Sequence, residues 1–318
     1  MKVPLLTIDA LAAVISMVEQ RNYEKASLDL GLSPSAVHKR IRSAESLLGV
    51  RLFAPSKDGL ELTEAGRVLY PEAIRALDQV HWAENKVRCF KDLKDGLIKV
   101  GHSTFLPSPL LGFIMNLNCE VPFGYRIEHY SGLPSSLAGK VSSGTLHMAF
   151  GHVGGAMKHV SAKPIYEEPL VVCIPRNHPL ATRSTLRHQD LDEACIIAIS
   201  RETTPEEHTE IERHFHGCGI RLNVVADAYG PSEAVNLVEQ NVGICFVPAS
   251  AARSGAVLMK HLVPYLLTSK FGLYIREDNE QETLKKYIQL VIKKAKDSGF
   301  ASALTSGRIS KLGHENIF

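Results

Sequence analysis

Between Ser33 and Gly49 the chain reads SPSAVHKRIRSAESLLG, which packs His38, Lys39, Arg40 and Arg42 into one short stretch. Lys and Arg at such spacing suit a polyanion. They neutralise phosphate oxygens, while short polar residues beside them reach base edges. From Ser33 to Lys57 the cations Lys39, Arg40, Arg42, Arg51 and Lys57 face the single anion Glu45. The 318-residue chain as a whole carries a formal charge of only +2, so the positive charge is local. Taken alone, the stretch also describes a solvated surface helix in a packed bundle.

A second cluster, HTEIERHFHGC, holds His208, His214, His216 and Cys218. These are metal-ligand types, but the spacing matches no closed zinc site, and helix geometry splits His214 from His216. No metal and no cofactor is therefore expected. The glycine-rich GHVGGAMKH at 151–159 fits neither G-x-G-x-x-G nor G-x-x-x-x-G-K-[ST], and no G-x-S-x-G occurs. No nucleophile–base constellation rises above chance, which argues against an enzyme. The six cysteines lack a C-x-x-C and read as reduced thiols of a cytosolic protein. Cys173, Cys195 and Cys245 lie in apolar runs and read as core; Cys119 and Cys218 read as the better exposed thiols.

The cationic stretch has clear helix boundaries. Ser33 is placed to N-cap, Pro34 to occupy the first helical position, and Gly49 to end the helix in a left-handed conformation. Val37, Ile41, Ala44 and Leu48 form one apolar stripe, with Ser35, His38, Lys39, Arg42 and Ser46 opposite. Upstream, YEKASLD predicts another short helix ending at Leu30–Gly31, with Ala26 and Ser27 small enough for close packing. Two short helices around a glycine turn make a helix-turn-helix, whose second helix enters a DNA major groove. Two extended pieces, Val50–Phe53 and Leu60–Thr63, flank the polar turn APSKDG and predict a β-wing with Lys57 at its tip. Thr63 then N-caps a long helix. Along 63–92 the residues Leu69, Ala73, Ala76, Val80, Ala83, Val87 and Phe90 alternate spacings of four and three, an a/d seam for pairing with a second copy. Packing on the chain's own core is the alternative. Pro71 removes one bond from its early turns.

From Asp95 the texture changes to an α/β alternation of apolar strands and helical stretches. Three strand ends stand out. LIKVG leads into His102-Ser103-Thr104, YRIEHY into Ser131-Gly132, and CIIAIS into Ser200, Arg201 and Thr203. In such sheets ligands sit beyond strand C-termini, near helix N-termini. Each hydroxyl alone suits a helix cap; their joint position at three strand ends favours a pocket for a small anion such as a carboxylate. The N-terminal apolar run is broken by Asp9 and shows no cleavage pattern, so no export signal is read there. No run reaches the ~20 apolar residues a membrane span needs. A cytoplasmic location without a membrane partner is the expectation, and the polar tail at 304–318 is expected to be mobile.

The run ASLDLGLSPSAVHKRIRSAESLLGVRLFAPSKDGLELTEAG resembles the N-terminal region of LysR-type transcriptional regulators, above all in LGVRLF and LTEAG at this distance from the Ser-Pro-Ser-Ala-Val helix. More weakly, LIKVGHST, SSGTLHMAFG and EEPLVVCIPRNHPLA resemble that family's effector-domain strands. The resemblance implies an α/β protein with a winged helix-turn-helix at 1–62, a dimerisation helix at 63–92 and an effector-binding domain at 95–303. That domain would resemble type 2 periplasmic binding proteins, with lobe I at about 95–168 and 278–300 and lobe II at about 169–277. It implies double-stranded DNA, a small-molecule effector and a homodimer or homotetramer as partners, with RNA polymerase as a further candidate. The implied DNA contacts are Ser33, Ser35, Ala36, His38, Lys39, Arg42, Arg51 and Lys57. Three positions depart from the family: His38 stands where Ser or Thr is usual, Pro55 near a usual Arg, and His147 where Asp is usual. Histidine changes charge in the physiological range, so DNA affinity is expected to rise on acidification, a dependence His38→Ser would remove. The other readings are a solute-binding protein, which needs an export signal, and an enzyme with a helical appendage.

Overall fold

A computed structural model describes residues 6–298 except 57–58, 118–120, 122–123, 155–158, 252–254 and 264–266. Lys57, Cys119 and the tail at 304–318, all singled out above, lie outside the described residues. The chain divides into two compact units at Val87/Arg88. The expected separate segment 63–92 is thus shared between the units.

The first unit opens with three helices, α1 (Ile8–Gln20), α2 (Tyr23–Leu30) and α3 (Pro34–Leu48). Side-chain caps fix each start. Thr7 Oγ1 accepts from Ala10 N at 3.2 Å, Asn22 Oδ1 from Glu24 N at 2.7 Å, and Ser33 Oγ from Ala36 N at 3.2 Å. Gly31 and Gly49 end α2 and α3 at positive φ, 63° and 71°, where a side chain would be strained. The helices meet over Ala13, Val14, Met17, Ala26, Val37, Ile41 and Ala44, with Leu52 and Phe53 closing the core from the wing side. Leu48 departs from the expected stripe: it sits in the last helical turn and is 43% exposed. The wing is β1 (Phe53–Ser56) paired antiparallel with β2 (Gly59–Leu62). It begins at Phe53, later than the Val50 expected, because Val50 and Arg51 still belong to the turn after α3.

Thr63 starts α4 (Glu64–Lys94), accepting from Gly66 N at 3.1 Å and donating to the Arg51 carbonyl at 2.6 Å. Gly66 presses against Leu52, the residue just before the wing's first strand. A Cβ there would sit 2.3 Å from the Leu52 carbonyl oxygen. Gly66→Ala gains about 1 kcal/mol of helix propensity. The clash with fixed backbone outweighs that gain, and overpacking costs about 1–3 kcal/mol. A lower melting temperature of the first unit checks this; an unchanged or raised one contradicts it.

The second unit is built on one long sheet. In chain order its elements are β3 (Leu97–Ser103), α5 (Ser108–Asn116), β4 (Arg126–Gly132), α6 (Pro134–Ser142), β5 (Met148–His152), β6 (Val160–Pro175), β7 (Thr185–Arg187), β8 (Cys195–Ile199), α7 (Pro205–Gly217), β9 (Asn223–Ala228), α8 (Pro231–Glu239), β10 (Ile244–Pro248), β11 (Val257–Val263), β12 (Thr268–Arg276) and α9 (Glu282–Asp297). The strand order is β4-β3-β5-β12-β6-β10-β8-β9, with β11 on β6 and β7 on β11. The strand β6 spans two lobes. Its first part pairs with β12, and residues 170–175 pair with β10 and β11. Leu170–Pro175 are all buried, the mark of a strand covered on both faces.

Each lobe has its own core. In lobe I, Ile98, Val100, Ile114, Phe150 and Leu273 pack with Tyr287 and Val291 of α9. In lobe II, Val172, Ile174, Ile196, Phe215, Ile244 and Phe246 pack together on one side, and Val171, Ile197, Ala234 and Val247 on the other. The lobe boundary differs from the expectation. β12 pairs with β5 of lobe I, so the chain returns at Thr268 and not near 278. The five cysteines described are free. Cys173 and Cys245 are buried neighbours across β6 and β10, and the hydrogen bond with Cys173, then burial, pushes the Cys245 thiol up. Cys195, expected in the core, opens β8 and is exposed.

Candidate nucleic-acid interface and effector cleft

α3 presents Ser33, Ser35, His38, Lys39 and Arg42 to solvent, while Ala36 is half-buried. Ser33 and Ser35 share a hydrogen bond at 3.0 Å at the helix start. Arg42 Nε donates to His38 Nε2 at 3.4 Å, and the His38 ring leans on Tyr23 with centroids 5.4 Å apart. Lys39 has no ion-pair partner among the described residues and stands free on the face. Arg40 turns away to Asp9 of α1 at 3.0 Å.

Glu45 organises the rest, a role the sequence reading did not give it. It falls four residues after Ile41, on the buried stripe, and is 6% exposed. Its Oε1 accepts from the backbone N–H groups of Leu52, at 2.8 Å, and Phe53, at 3.4 Å. Its Oε2 holds the guanidinium groups of Arg42, at 3.3 Å, and Arg51, at 3.1 Å. One buried carboxylate therefore sets the wing against α3 and orients both arginines, whose side chains stay 47% and 61% exposed. A carboxylate on an apolar stripe was the signal that could have found it.

The α4 seam changes character along its length. Leu69 packs against the first unit's core and Ala73 is fully buried. Ala76 and Val80 are half-buried and Ala83 is exposed. Val87 and Phe90 are 69% and 47% exposed. Lys86 Nζ lies 5.0 Å over the Trp82 ring, and Lys94 Nζ 5.1 Å over Phe90.

In the second unit the strand ends are only partly brought together. His102–Ser131 and Ser103–Gly132 are register partners on parallel β3 and β4, and Thr104 N donates to the Gly132 carbonyl at 3.1 Å. Strand alternation sends His102 and Ser103 to opposite faces, so they do not share one ligand surface. The His102 ring packs on His129 at 5.9 Å, and burial lowers the His129 pKa. Ser200, Arg201 and Thr203 belong to the other lobe. Several expected hydroxyls already serve the backbone. Ser103 Oγ accepts from Phe105 N at 3.0 Å, Ser200 Oγ from Glu202 N at 3.3 Å, and Thr203 Oγ1 donates to the Ser200 carbonyl at 2.9 Å. Ser131 and Arg201 are exposed, with Arg201 donating to Thr209 Oγ1 at 3.4 Å.

The facing edges of the lobes meet through other residues. Phe105, after β3, lies against Gly230, where a Cβ would approach its ring to 2.4 Å. Gly154 meets Glu206 in the first turn of α7. Between them, His152 Nε2 of β5 lies 2.8 Å from Glu207 Oε2 of α7, and Ser269 Oγ donates to the same carboxylate oxygen at 2.7 Å. Burial alone would raise the Glu207 pKa; the His152 and Ser269 contacts more than offset it and hold the carboxyl below its usual range. Thr204 Oγ1 at the start of α7 and His102 Nδ1 are buried without a hydrogen-bond partner among the described residues. Thr204 and Glu207 also line a cavity of about 720 Å³ walled by Ile196, Phe215, Leu222 and Phe246. None of the eight expected effector residues lines it.

His147 has a structural role. Its Nδ1 accepts from Lys99 N at 2.8 Å, which leaves Nε2–H to donate to the Cys89 carbonyl at 3.3 Å. Burial lowers its pKa, so the folded protein holds it neutral. Protonation would destroy the Nδ1 acceptor. Its stabilising contribution is complete above the unfolded value of about 6.5 and is lost as pH falls through the lower folded value. Thermal unfolding of wild type between pH 7.5 and 5.5 is expected to show a larger fall in Tm than His147→Gln. An equal fall would contradict this role.

A winged helix-turn-helix joined by a long helix to a two-lobed α/β unit defines a DNA-binding regulator with an effector-binding domain. The description "Bacterial regulatory helix-turn-helix protein, lysR family" matches residues 8–67, and "LysR substrate binding domain" matches residues 91–296. The HTH-type transcriptional regulator AlsR of Bacillus subtilis (strain 168) is 24% identical over 284 residues, covering 87% of this chain and 92% of that relative. The crystal structure of CbnR, a LysR family transcriptional regulator, gives a TM-score of 0.58 at 18% identity, covering 91% of this chain and 99% of that one. Full-length CbnR complexed with its target DNA also gives 0.58, at 19% identity, covering 92% and 100%. The chain belongs to the LysR family of DNA-binding transcriptional regulators; these are not enzymes. No helix among the described residues is long and apolar enough to cross a membrane.

Proposed function

We propose that α3 reads duplex DNA through Ser33, Ser35, Ala36, His38 and Lys39 in the major groove, with Arg42, Arg51 and the wing, including Lys57, on the flanking phosphates. The free, exposed Lys39 beside two arginines held in place by Glu45 is the observation that carries this reading. Two copies pair through the exposed part of the α4 seam, as a dimer or a tetramer in the cytoplasm. Two recognition helices then address a two-fold site. RNA polymerase is the protein partner through which the bound regulator acts.

The second unit responds to a small anionic effector held where the lobes' strand ends face each other. The buried hydroxyl of Thr204 at the N-terminus of α7 supports that reading, because helix N-terminal N–H groups favour anions. On lobe I the register partners His102 and Ser131 are the candidates for the opposite wall, without Ser103.

Selection of bound fragments from random duplex DNA tests the first part. A recurring two-fold motif supports it; recovery of unrelated sequences overturns it. Repeating the binding with a panel of small carboxylates tests the second part. One compound should change the wild-type DNA affinity and leave Thr204→Val unresponsive. No response from wild type to any carboxylate would overturn the anionic reading alone.

A further inference from the structure

The histidine and cysteine cluster that the sequence could not organise acquires a third member in the fold. His188, in the 3-10 turn His188–Leu191, comes against α7. Its Nε2 lies 2.6 Å from His214 Nε2, with ring centroids 4.8 Å apart. Cys218 follows His214 by one helical turn on the same face. The two imidazole nitrogens and the Cys218 sulfur all lie within 4.8 Å of one another. His216 falls on another face and takes no part. His188 was not a sequence candidate, being 26 positions from His214.

The surroundings favour a cation at this place. His188 is 5% exposed, while Cys218 is exposed, so the cluster is anchored at one side and open at the other. The His188 ring meets His214 at one nitrogen. The Val263 carbonyl also hydrogen-bonds this ring. With Nε2 directed at His214, Nδ1–H is the group left to donate there. A backbone carbonyl on the far ring nitrogen is the usual way a ligating histidine is oriented. Phe215 packs against both rings, at 5.6 and 5.5 Å. A tetrahedral ion at about 2.05 Å from each nitrogen would need an N–N separation of roughly 3.3 Å. The cluster reaches that spacing by opening less than an ångström. A cavity of about 470 Å³, lined by Glu210, Arg213, His214 and Cys218, gives an entry path and room for water as fourth ligand.

We propose that His188, His214 and Cys218 form a binding site for a borderline-soft divalent transition-metal ion of the Zn²⁺ class, with the Cys218 thiol deprotonated on binding. The ion ties the C-terminal end of α7 to the turn before β8. The N-terminal end of the same helix carries Glu207, which reaches across to His152. Metal occupancy would thereby stiffen the helix that links lobe II to lobe I.

Co²⁺ is the probe for the test, added to reduced, chelator-treated full-length protein. Wild type should bind one ion per chain and develop a sulfur-to-cobalt charge-transfer band that Zn²⁺ abolishes. Cys218→Ser should lose that band, and His214→Asn should weaken binding by at least about tenfold. Cys195→Ser and His216→Asn, whose side chains are exposed and outside the cluster, should bind like wild type. Circular dichroism shows whether each variant is folded. No cobalt–thiolate band in wild type, or a band that survives in folded Cys218→Ser, overturns the site.

Discussion

Glu45→Ala should unfold or severely loosen the DNA-binding unit, whereas Glu45→Gln should leave it standing. Removing the carboxylate takes the acceptor from two backbone N–H groups in a buried place, those of Leu52 and Phe53. Each orphaned donor costs about 1–3 kcal/mol. That is a large part of the roughly 5–15 kcal/mol a domain has in total. The two arginine contacts add little to this stability, because both side chains are about half exposed or more and screened by water. Glutamine keeps a carbonyl oxygen for the two N–H groups, but it loses the charge and puts a donor NH2 where Oε2 accepted from Arg42 and Arg51. Glu45→Gln should therefore melt within ~1 kcal/mol of wild type and bind DNA at least as tightly, with Arg42 and Arg51 released toward phosphate. Denaturant melts and fluorescence anisotropy on one DNA duplex read both quantities. A Glu45→Ala protein as stable as wild type would show that Glu45 does not organise the wing.

The second large effect concerns α4. Val87→Asp/Phe90→Asp should convert the protein to monomers without unfolding either unit, because the two side chains are 69% and 47% exposed within one chain. Burying them against a second copy places charge in an apolar seam, where an unpaired carboxylate is heavily disfavoured. DNA affinity should fall with it. A dimer holds its second half-site at high effective concentration, and losing that linkage removes about 10²–10⁴ in affinity. Sedimentation equilibrium and anisotropy on a two-half-site duplex measure the two effects. An unchanged oligomer in the double variant would place the interface elsewhere.

Local chemistry was the legible part of this molecule. Thr63, Ser33, Pro34, Gly31 and Gly49 announced helix boundaries because caps act over three or four residues, and the structure has them in those roles. The charge excess from Ser33 to Lys57 pointed to α3 for the same reason. Where long-range pairing decided, the sequence was mute. Nothing local places β12 in lobe I; its pairing with β5 joins residues more than a hundred positions apart. Nothing in HTEIERHFHGC announces that His188 will meet His214. Hydroxyls at strand ends serve ligands and turns alike, and here those of Ser103, Ser200 and Thr203 all bond to the backbone. Glu45 is one anion among five cations by charge alone, but its place four residues after Ile41 puts it on the buried stripe.

The proposed DNA contacts of α3 lie on its cationic face. The salt dependence of binding to one selected duplex, compared between wild type and Lys39→Ala/Arg42→Ala, tests it most directly. Each lost phosphate contact should lower the slope of log affinity against log salt by about 0.9. The double variant should bind more weakly at every salt concentration, with a slope shallower by about one phosphate contact, that of Arg42. Equal slopes and equal affinities would place the DNA contacts on another face.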